Sequence, residues 1–423
     1  MLELAMKRIK LPVGCRNLLI NLFSNRKNRI IGHNGLTDPY DVLVGIDQGE
    51  VISPLLWCIY YDPLLTEIKE NNTLGYKISH QWRPDLSKDN ISHMKETIPS
   101  QAYMDDTTWI TSSKAHLEKI LNIADSFYML NNIQVNLDKS ILLTSVNTTD
   151  PTTDSKMVTL NYGTGTVNIT PKEKTESIRF LGVWINLSFK KQFVKTQISN
   201  NVKYACNIMK FKRLTDTQMV YILNKVICLQ IGYRMQLTIF SKEQCNQILA
   251  PFRKMFKAKL HFPISFPNSI IDCPESYNLM NLYSYQLQAQ VSFLNQQLNN
   301  KSVLGRITRI RTLQLQTREW LSESPLKKWE VPYNHFKHKS NIIASTLCIL
   351  KENEISISPS INYENKIKGG VTPLIQVLGI KYHSGKFYNV LRERQILFLS
   401  QLLSTDGTHL LKYSDLTYRS DIR

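Results

Sequence analysis

The sequence is short of acidic side chains. Its 34 Asp and Glu face 52 Lys and Arg, which leaves a formal charge of +18 at pH 7. An imbalance of that size favours polyanionic partners, nucleic acid above all. Long apolar runs are missing too. A bilayer span takes about 20 consecutive apolar residues, and the longest candidate, residues 54–65, contains Asp62 and Pro63. No membrane-spanning segment is expected. Residues 1–9 have neither the apolar core nor the small-residue cleavage site of a secretory signal, so an intracellular protein is expected, nuclear or cytoplasmic. The seven cysteines (Cys15, Cys58, Cys206, Cys228, Cys245, Cys273, Cys348) form no C-x-x-C pair, and the nine histidines do not cluster with them. That spacing argues against zinc and for reduced thiols. His335 and His338 are spaced for one helix face with only Cys348 near, and they are read as surface residues. No internal repeat is visible.

What is present reads as globular. Apolar residues make up 42% and charged residues 20% of 423, enough to bury a core and too long for one small domain, so two or three domains are expected. Leu2, Met6, Ile9 and Leu11 share a helical stripe, broken by Pro12-Val13-Gly14. A second helix is expected over 16–24, basic loop or strand over 26–32, a turn at His33-Asn34-Gly35 and a strand over 40–44. Ser53-Pro54 reads as a helix start, with Ser as cap and Pro in the first turn, and the helix should run to Glu70 with a kink at Pro63. Residues 73–100 look polar and irregular, with a strand at 76–78 and a loop around Arg83-Pro84-Asp85. An amphipathic helix fits 116–131, and 133–140 reads as turn and strand. Residues 147–156 read as a loop. Residues 158–162 and 167–169 alternate around Gly163-Thr164-Gly165 as a hairpin. Residues 178–185 read as a strand with a bend at Gly182.

From Lys190 the pattern becomes helical. Thr215 with Gln218 and Ser241 with Gln244 fit capping boxes. The second opens a helix with Cys245, Ile248, Leu249, Phe252, Met255, Phe256 and Leu260 on one stripe. Arg253, Lys254, Lys257 and Lys259 lie on its other face, which suits either a solvated surface or phosphate contact. Further helices fit 276–299 and 304–321. The rest mixes short apolar runs with turns at Gly369-Gly370, Ser384-Gly385 and Asp406-Gly407.

Gln101-Ala102-Tyr103-Met104-Asp105-Asp106-Thr107-Thr108-Trp109-Ile110 holds the chemistry. Successive side chains of a strand point to opposite faces, so neighbouring aspartates converge only if the backbone turns at them. A hairpin with Asp105 and Asp106 at its tip would gather two negative charges, whose simplest partner is a divalent cation.

Four stretches then occur in a fixed order. Gln48-Gly49 through Ser53-Pro54, Tyr103-Met104-Asp105-Asp106, Asn136-x-x-Lys139-Ser140 and Phe180-Leu181-Gly182-Val183 together resemble the palm motifs of a reverse transcriptase of the non-LTR (LINE-type) retrotransposon kind. The resemblance covers roughly residues 10 to 190. It implies an α+β fold: a polymerase palm, an antiparallel sheet with helices, at 1–190, a helical thumb at 191–275 and a mostly helical C-terminal region at 276–423. It implies RNA-directed DNA polymerisation, with RNA template, DNA primer and deoxynucleoside triphosphates as partners and two Mg²⁺ (or Mn²⁺) ions as cofactors. It assigns Asp105 and Asp106 to the metals. Gln48, Gly49, Ser53, Pro54, Tyr103 and Met104 fall to nucleotide and template, Lys139 to protonation of the leaving pyrophosphate, and Phe180, Leu181 and Gly182 to the primer grip.

The resemblance also sets a shortfall. The family carries a further metal-binding aspartate on a strand ahead of the helix that Met1–Leu11 resembles. Asp38, Asp41 and Asp47 lack that strand-to-helix context. The fingers are not recognisable, nor are endonuclease, zinc-knuckle or ribonuclease H domains. A truncated copy, inactive on its own, is therefore expected. A non-catalytic basic nucleic-acid-binding remnant and an intron maturase-type reverse transcriptase are the alternatives.

Overall fold

The computed structural model describes the chain apart from residues 34, 43–44, 47–48, 72, 83–91, 146–155, 328, 330–340, 361–371, 379–389, 392–395, 405 and 413–423. It divides into two compact units. The first comprises Met1–Ile78, Thr97–Leu142 and Val146–Pro171; the second comprises Ser79–Glu96, Leu143–Ser145 and Lys172–Arg423. Helices and small two-stranded sheets alternate, an α+β arrangement. The loops expected at Arg83-Pro84-Asp85 and Gly369-Gly370, the turn at Ser384-Gly385 and most of the loop over 147–156 lie outside the described residues. So do Gln48, Asp47, His335 and His338.

The first unit opens with α1 (Leu2–Arg8) and α2 (Val13–Phe23). Helix α1 is shorter than its apolar stripe. The Leu11 N–H donates to the Met6 carbonyl (3.1 Å) and the Lys10 N–H to that of Lys7 (2.9 Å), with Lys10 at φ +59°. That left-handed stop, a glycine's usual place, ends the helix before Ile9 and Leu11 can extend it. Only Met6 of the expected stripe is buried, beside Ala5. Pro12 separates the helices and Gly14 lies inside α2, which starts earlier than expected. No residue of α2 is buried. Two short pairs follow, β1 (Arg26–Asn28) with β4 (Tyr40–Val42) around β2 (Ile31–Gly32) with β3 (Gly35–Leu36).

Helix α3 spans Ser53–Glu70 as its pattern predicts, but Ser53 is its first helical residue and not its cap. The cap position falls to Ile52 in helical geometry, with no side-chain hydrogen bond. The Ser53 N–H, bonded to the Glu50 carbonyl (3.2 Å), shows why: the preceding turn already winds into the helix. Pro54 still sits in the first turn, where a missing N–H costs nothing.

Where an irregular segment is expected, the chain forms a hairpin of β5 (Tyr76–Trp82) and β6 (Ser92–Ile98). Its burial alternates, but its residues are mostly polar, so the period of two carries almost no apolar signal. After Pro99 come β7 (Ser100–Tyr103) and β8 (Asp106–Trp109), then α4 (Lys114–Leu130), capped by Ser113 accepting from the His116 N–H. The Tyr76 N–H donates to the Ile110 carbonyl (3.0 Å) and the Ile110 N–H to that of Pro99 (2.8 Å). Gly75 permits this crossing, since a Cβ there would lie 2.7 Å from the Pro99 nitrogen. The pair β9 (Val158–Tyr162) and β10 (Gly165–Ile169) forms the expected hairpin, its Gly163 N–H held by the Asn122 side chain of α4 (3.0 Å).

The core of this unit is the seam between α3 and α4: Tyr61, Leu64 and Ile68 against Ile120, Ala124 and Tyr128, closed by Leu74. Each large apolar side chain there contributes about 2 kcal/mol on burial.

The main run of the second unit, from Lys172, opens with β11 (Ile178–Phe180) and β12 (Val183–Ile185). Instead of one bent strand they form a hairpin. Helices α5 (Gln192–Lys210), α6 (Asp216–Tyr221), α7 (Cys228–Arg234), α8 (Lys242–Lys259) and α9 (Asn268–Asp272) follow, with both expected capping boxes in place. A π-helical segment, Ile222–Ile227, joins α6 to α7. Such an insertion re-aims one side chain; here Asn224 donates to the Asn278 carbonyl and accepts from the Met280 N–H, both at 2.8 Å.

The apolar stripe of α8 is buried as its spacing predicts, but its basic face is not a uniform surface. Arg253 is buried and paired with Asp272 at 2.7 Å. Lys257 is buried too, its Nζ donating to the Ile264 (3.1 Å) and Phe266 (2.6 Å) carbonyls. The bend after Lys259 folds the chain back over that face and takes two of its four cations inside.

Helices α10 (Leu282–Leu298) and α11 (Val303–Arg318) fall near their expected places, and α12 (Ile342–Glu352) and α13 (Leu374–Val377) complete the described helices. Within this unit, residues 79–96 lie against α11. Arg306 holds Glu96 with two bonds of 2.7 and 3.1 Å, His80 meets the Thr317 hydroxyl at 2.9 Å, and Gln314 donates to the Ser79 carbonyl at 2.9 Å. Burial pushes the His80 imidazole down to about 4. All seven cysteines are free thiols, with Cys206, Cys228 and Cys245 in the core.

Candidate active site

The aspartate pair sits where two strands turn. Register pairs Tyr103 with Asp106, Ala102 with Thr107, Gln101 with Thr108 and Ser100 with Trp109. Met104 and Asp105 are thus the two turn residues, with Met104 at φ +55°. A non-glycine residue in that left-handed region costs about 1–2 kcal/mol; two-residue hairpins favour such backbone because it matches strand twist. Tyr103, Asp105 and Asp106 are exposed, and Met104 is half-buried.

Among the described residues, neither carboxylate accepts a hydrogen bond or forms an ion pair. The turn therefore presents two negative charges with no cationic partner. Magnesium suits such a place, because it keeps much of its water and takes one or two carboxylates together with substrate phosphates. No group of three His, Cys, Asp or Glu side chains converges among the described residues, so two ions would lack a third protein carboxylate there.

The turn is supported from below. The Thr107 hydroxyl lies 3.4 Å from the Asp105 carbonyl oxygen, the Tyr61 hydroxyl 3.0 Å from that of Thr107, and the Tyr128 hydroxyl 2.5 Å from that of Tyr61. This chain runs from the α3–α4 seam to the Asp105 backbone carbonyl. Burial, reinforced by the Tyr61 hydroxyl, pushes the Tyr128 phenol far above its ordinary range. Trp57 stacks on Tyr61 at 5.7 Å and Phe127 meets it edge-on at 5.7 Å, which fixes its ring. The motif reading missed Tyr61 and Tyr128; their only sequence signal is helical spacing with Trp57, Leu64, Ile120 and Ala124.

The other expected site residues are placed as follows. Gly49 is exposed at φ +96°, with open space around the position of a Cβ. Ser53 and Pro54 form the first turn of α3. Lys139 ends a short 3₁₀ turn, Leu137–Lys139, where turn and strand were expected. The Asn136 side chain accepts from the Lys139 N–H (3.2 Å) and the Ser140 hydroxyl donates to the Asn136 carbonyl (3.0 Å). The Asn-x-x-Lys-Ser spacing is thus a local capping device, and the Lys139 side chain is left exposed. All of these lie in the first unit with the aspartate turn.

Residues 6–185 match the family model for reverse transcriptase (RNA-dependent DNA polymerase). No curated protein shows significant similarity to the chain. The match to the reverse transcriptase model ends on the last residue of β12 and takes in every expected site residue, including Phe180, Leu181 and Gly182 in the second unit.

Those three residues form a hairpin tip. Phe180 pairs with Val183, so Leu181 (φ +46°) and Gly182 (φ +81°) are the turn. Two successive positive φ angles are the mark of a type I′ turn. Tyr233 of α7 clasps it, its hydroxyl donating to the Leu181 carbonyl at 2.6 Å. A Cβ on Gly182 would lie 3.1 Å from Cε1 of the same ring. No helix among the described residues is long and apolar enough to cross a membrane.

Proposed function

We propose that residues 6–185 are the palm of an RNA-directed DNA polymerase of the non-LTR retrotransposon kind, followed by a helical thumb at 191–275. The observation that carries this reading is the two-residue turn that brings Asp105 and Asp106 to one exposed tip, within a segment matching the reverse transcriptase model. In this reading RNA template, DNA primer and deoxynucleoside triphosphates are the partners. Asp105 and Asp106 would hold Mg²⁺ or Mn²⁺, which supplies charge stabilisation to attacking and leaving oxygens of an in-line displacement. The chain's own share is mostly positioning. Tyr103 and Met104 flank the aspartates where the primer end meets the nucleotide. Gly49 leaves its backbone bare for template and nucleotide, beside Ser53 and Pro54, and Gln48 is assigned to the same contact. Lys139 Nζ gives its proton to the departing pyrophosphate. Phe180, Leu181 and Gly182 hold the primer strand.

A second reading concerns activity. The described residues offer two carboxylates and no group of three, whereas two bridged ions call for a third. We therefore take the 423-residue chain to bind a divalent ion and nucleic acid without extending a primer. Two measurements test both levels. Titration with Mn²⁺, followed by electron paramagnetic resonance, should show an ion lost in Asp105→Asn and Asp106→Asn; unchanged binding in both variants would remove the ligand assignment. Primer extension on an RNA template with Mg²⁺ should give no product, and incorporation abolished by Asp105→Asn would replace the inactive reading with an active one.

A further inference from the structure

A long acid-free stretch that also displays aromatic rings lies in the second unit. Between Glu176 and Asp216 the chain has eight Lys and Arg and not one Asp or Glu. About half of that stretch is α5, whose buried stripe (Val194, Ile198, Val202, Cys206, Met209) faces α8 and the core. The opposite face holds large apolar side chains in the open. Tyr204 is 70% exposed, Ile208 46% and Phe211 82%. At spacings of four and three residues they form one stripe. Lys203, Asn207 and Lys210 run beside it as a second stripe one residue back, all exposed. Lys210 Nζ lies 5.7 Å from the centre of the Phe211 ring, and Arg213 is exposed just beyond.

The adjoining end of α8 adds no negative charge, and Asp216 bounds the stretch three residues beyond Arg213. Lys259 of α8 reaches the Lys212 carbonyl at 2.7 Å, which places the C-terminal ends of α5 and α8 together. From Gln244 to Ile271 the chain has no acidic residue either. The buried Arg253 and Lys257 are satisfied inside by Asp272 and by carbonyls. Lys203, Lys210, Lys254 and Arg213 have no ion-pair partner among the described residues.

Unpaired cations alternating with exposed rings make a particular kind of surface. A face for another protein's apolar patch has no use for unneutralised lysines along its stripe. A duplex offers phosphates and grooves, with its bases stacked on one another and closed to a side-chain ring. A single strand offers both of the features that match, phosphates for the cations and unstacked bases for the rings. We infer that the exposed face of α5 and its C-terminal turn bind single-stranded nucleic acid, with bases stacking on Tyr204 and Phe211 and phosphates tracked by Lys203, Lys210 and Arg213. The inference stands apart from the aspartate turn: loss of metal binding in Asp105→Asn would leave it untouched.

The test is fluorescence anisotropy of the full chain with a labelled oligouridylate of about 12 nucleotides, a length within single-strand site sizes. Tyr204→Ala and Phe211→Ala should each weaken binding about tenfold, as expected for loss of one stacked base, with little change in salt dependence. Tyr204→Phe should bind as the parent does, because the ring is kept. Lys203→Gln with Lys210→Gln and Arg213→Gln should lower the salt slope by about 2, at about 0.7 per phosphate on a single strand. The substituted side chains are exposed, so the variants should retain the parent's circular dichroism and melting temperature. The inference is overturned if both alanine variants bind like the parent. It is equally overturned if an RNA duplex of the same length competes as well as the single strand, or if the alanine variants change only self-association in sedimentation.

Discussion

Gly182→Ala should unclasp the β11–β12 turn, and its cost can be built from the geometry. Gly182 sits at φ +81°, a conformation that costs an L-residue about 1–2 kcal/mol. Alanine also narrows the unfolded ensemble, which returns about 0.5 kcal/mol. The new Cβ would then meet Tyr233 Cε1 at 3.1 Å, closer than the ~3.5–4.0 Å of an ordinary carbon contact. Tyr233 is half-exposed at 47%, so the ring can swing away instead of stopping the substitution. In swinging it gives up the 2.6 Å bond to the Leu181 carbonyl, about 1 kcal/mol. The sum is about 2 kcal/mol. Urea denaturation followed by circular dichroism should read that loss as a lower midpoint at constant slope. Tyr233→Phe alone should cost about 1 kcal/mol, and in that background Gly182→Ala should cost about 1 kcal/mol less than in the parent, since the bond is already gone. Strictly additive variants would refute the ring-swing reasoning; a neutral Gly182→Ala would refute the turn geometry itself.

Three further outcomes follow from other sites. Asp272→Asn leaves the Arg253 guanidinium buried without its counter-charge and should destabilise by about 3–5 kcal/mol; Arg253→Met together with Asp272→Leu should recover much of the loss in the same denaturation assay. The His80 imidazole is depressed from its ordinary 6.5 to about 4 by burial, so the unfolded chain binds the extra proton first. Stability from this group is complete above pH 6.5 and falls as the pH drops toward 4, by at most about 1.4 kcal/mol per pH unit; His80→Asn should flatten that part of a melting-temperature profile. Lys10→Gly relieves the left-handed stop after α1 and should raise stability by about 1 kcal/mol, visible as a higher urea midpoint, whereas Lys10→Val should lower it.

Residues whose local chemistry dictates their backbone were readable in the sequence. The capping boxes at Thr215 and Ser241 and the turn at Asp105 are of this kind, because each depends on neighbours within four positions. The stripe of α8 was readable from its period. What could not be read depends on partners distant in sequence. Nothing in Ser92–Ile98 announces a strand, because its alternation is of polar side chains that become half-buried only in the hairpin. Arg253 and Lys257 looked like surface charges, and only the return of the chain through Ile264, Phe266 and Asp272 makes them internal. The α2 helix shows the reverse: Leu18 and Leu22 have core spacing, yet they are 63% and 55% exposed. At the candidate site the motif residues were legible, while Tyr61 and Tyr128 beneath them were indistinguishable from ordinary core aromatics.

That hydroxyl chain bears on how the tip would respond to its surroundings. Threonine and tyrosine hydroxyls both donate and accept, so the links from Tyr128 to Tyr61 and from Tyr61 to Thr107 can reverse, with Thr107 then giving up its reach to the Asp105 carbonyl. Burial pushes the Tyr128 phenol far above its ordinary range, so the buried end of the chain stays a neutral hydroxyl. The aspartate turn rests on dipoles that can flip when the charge above them is neutralised. An arriving cation would meet a support whose hydroxyls reorient in place.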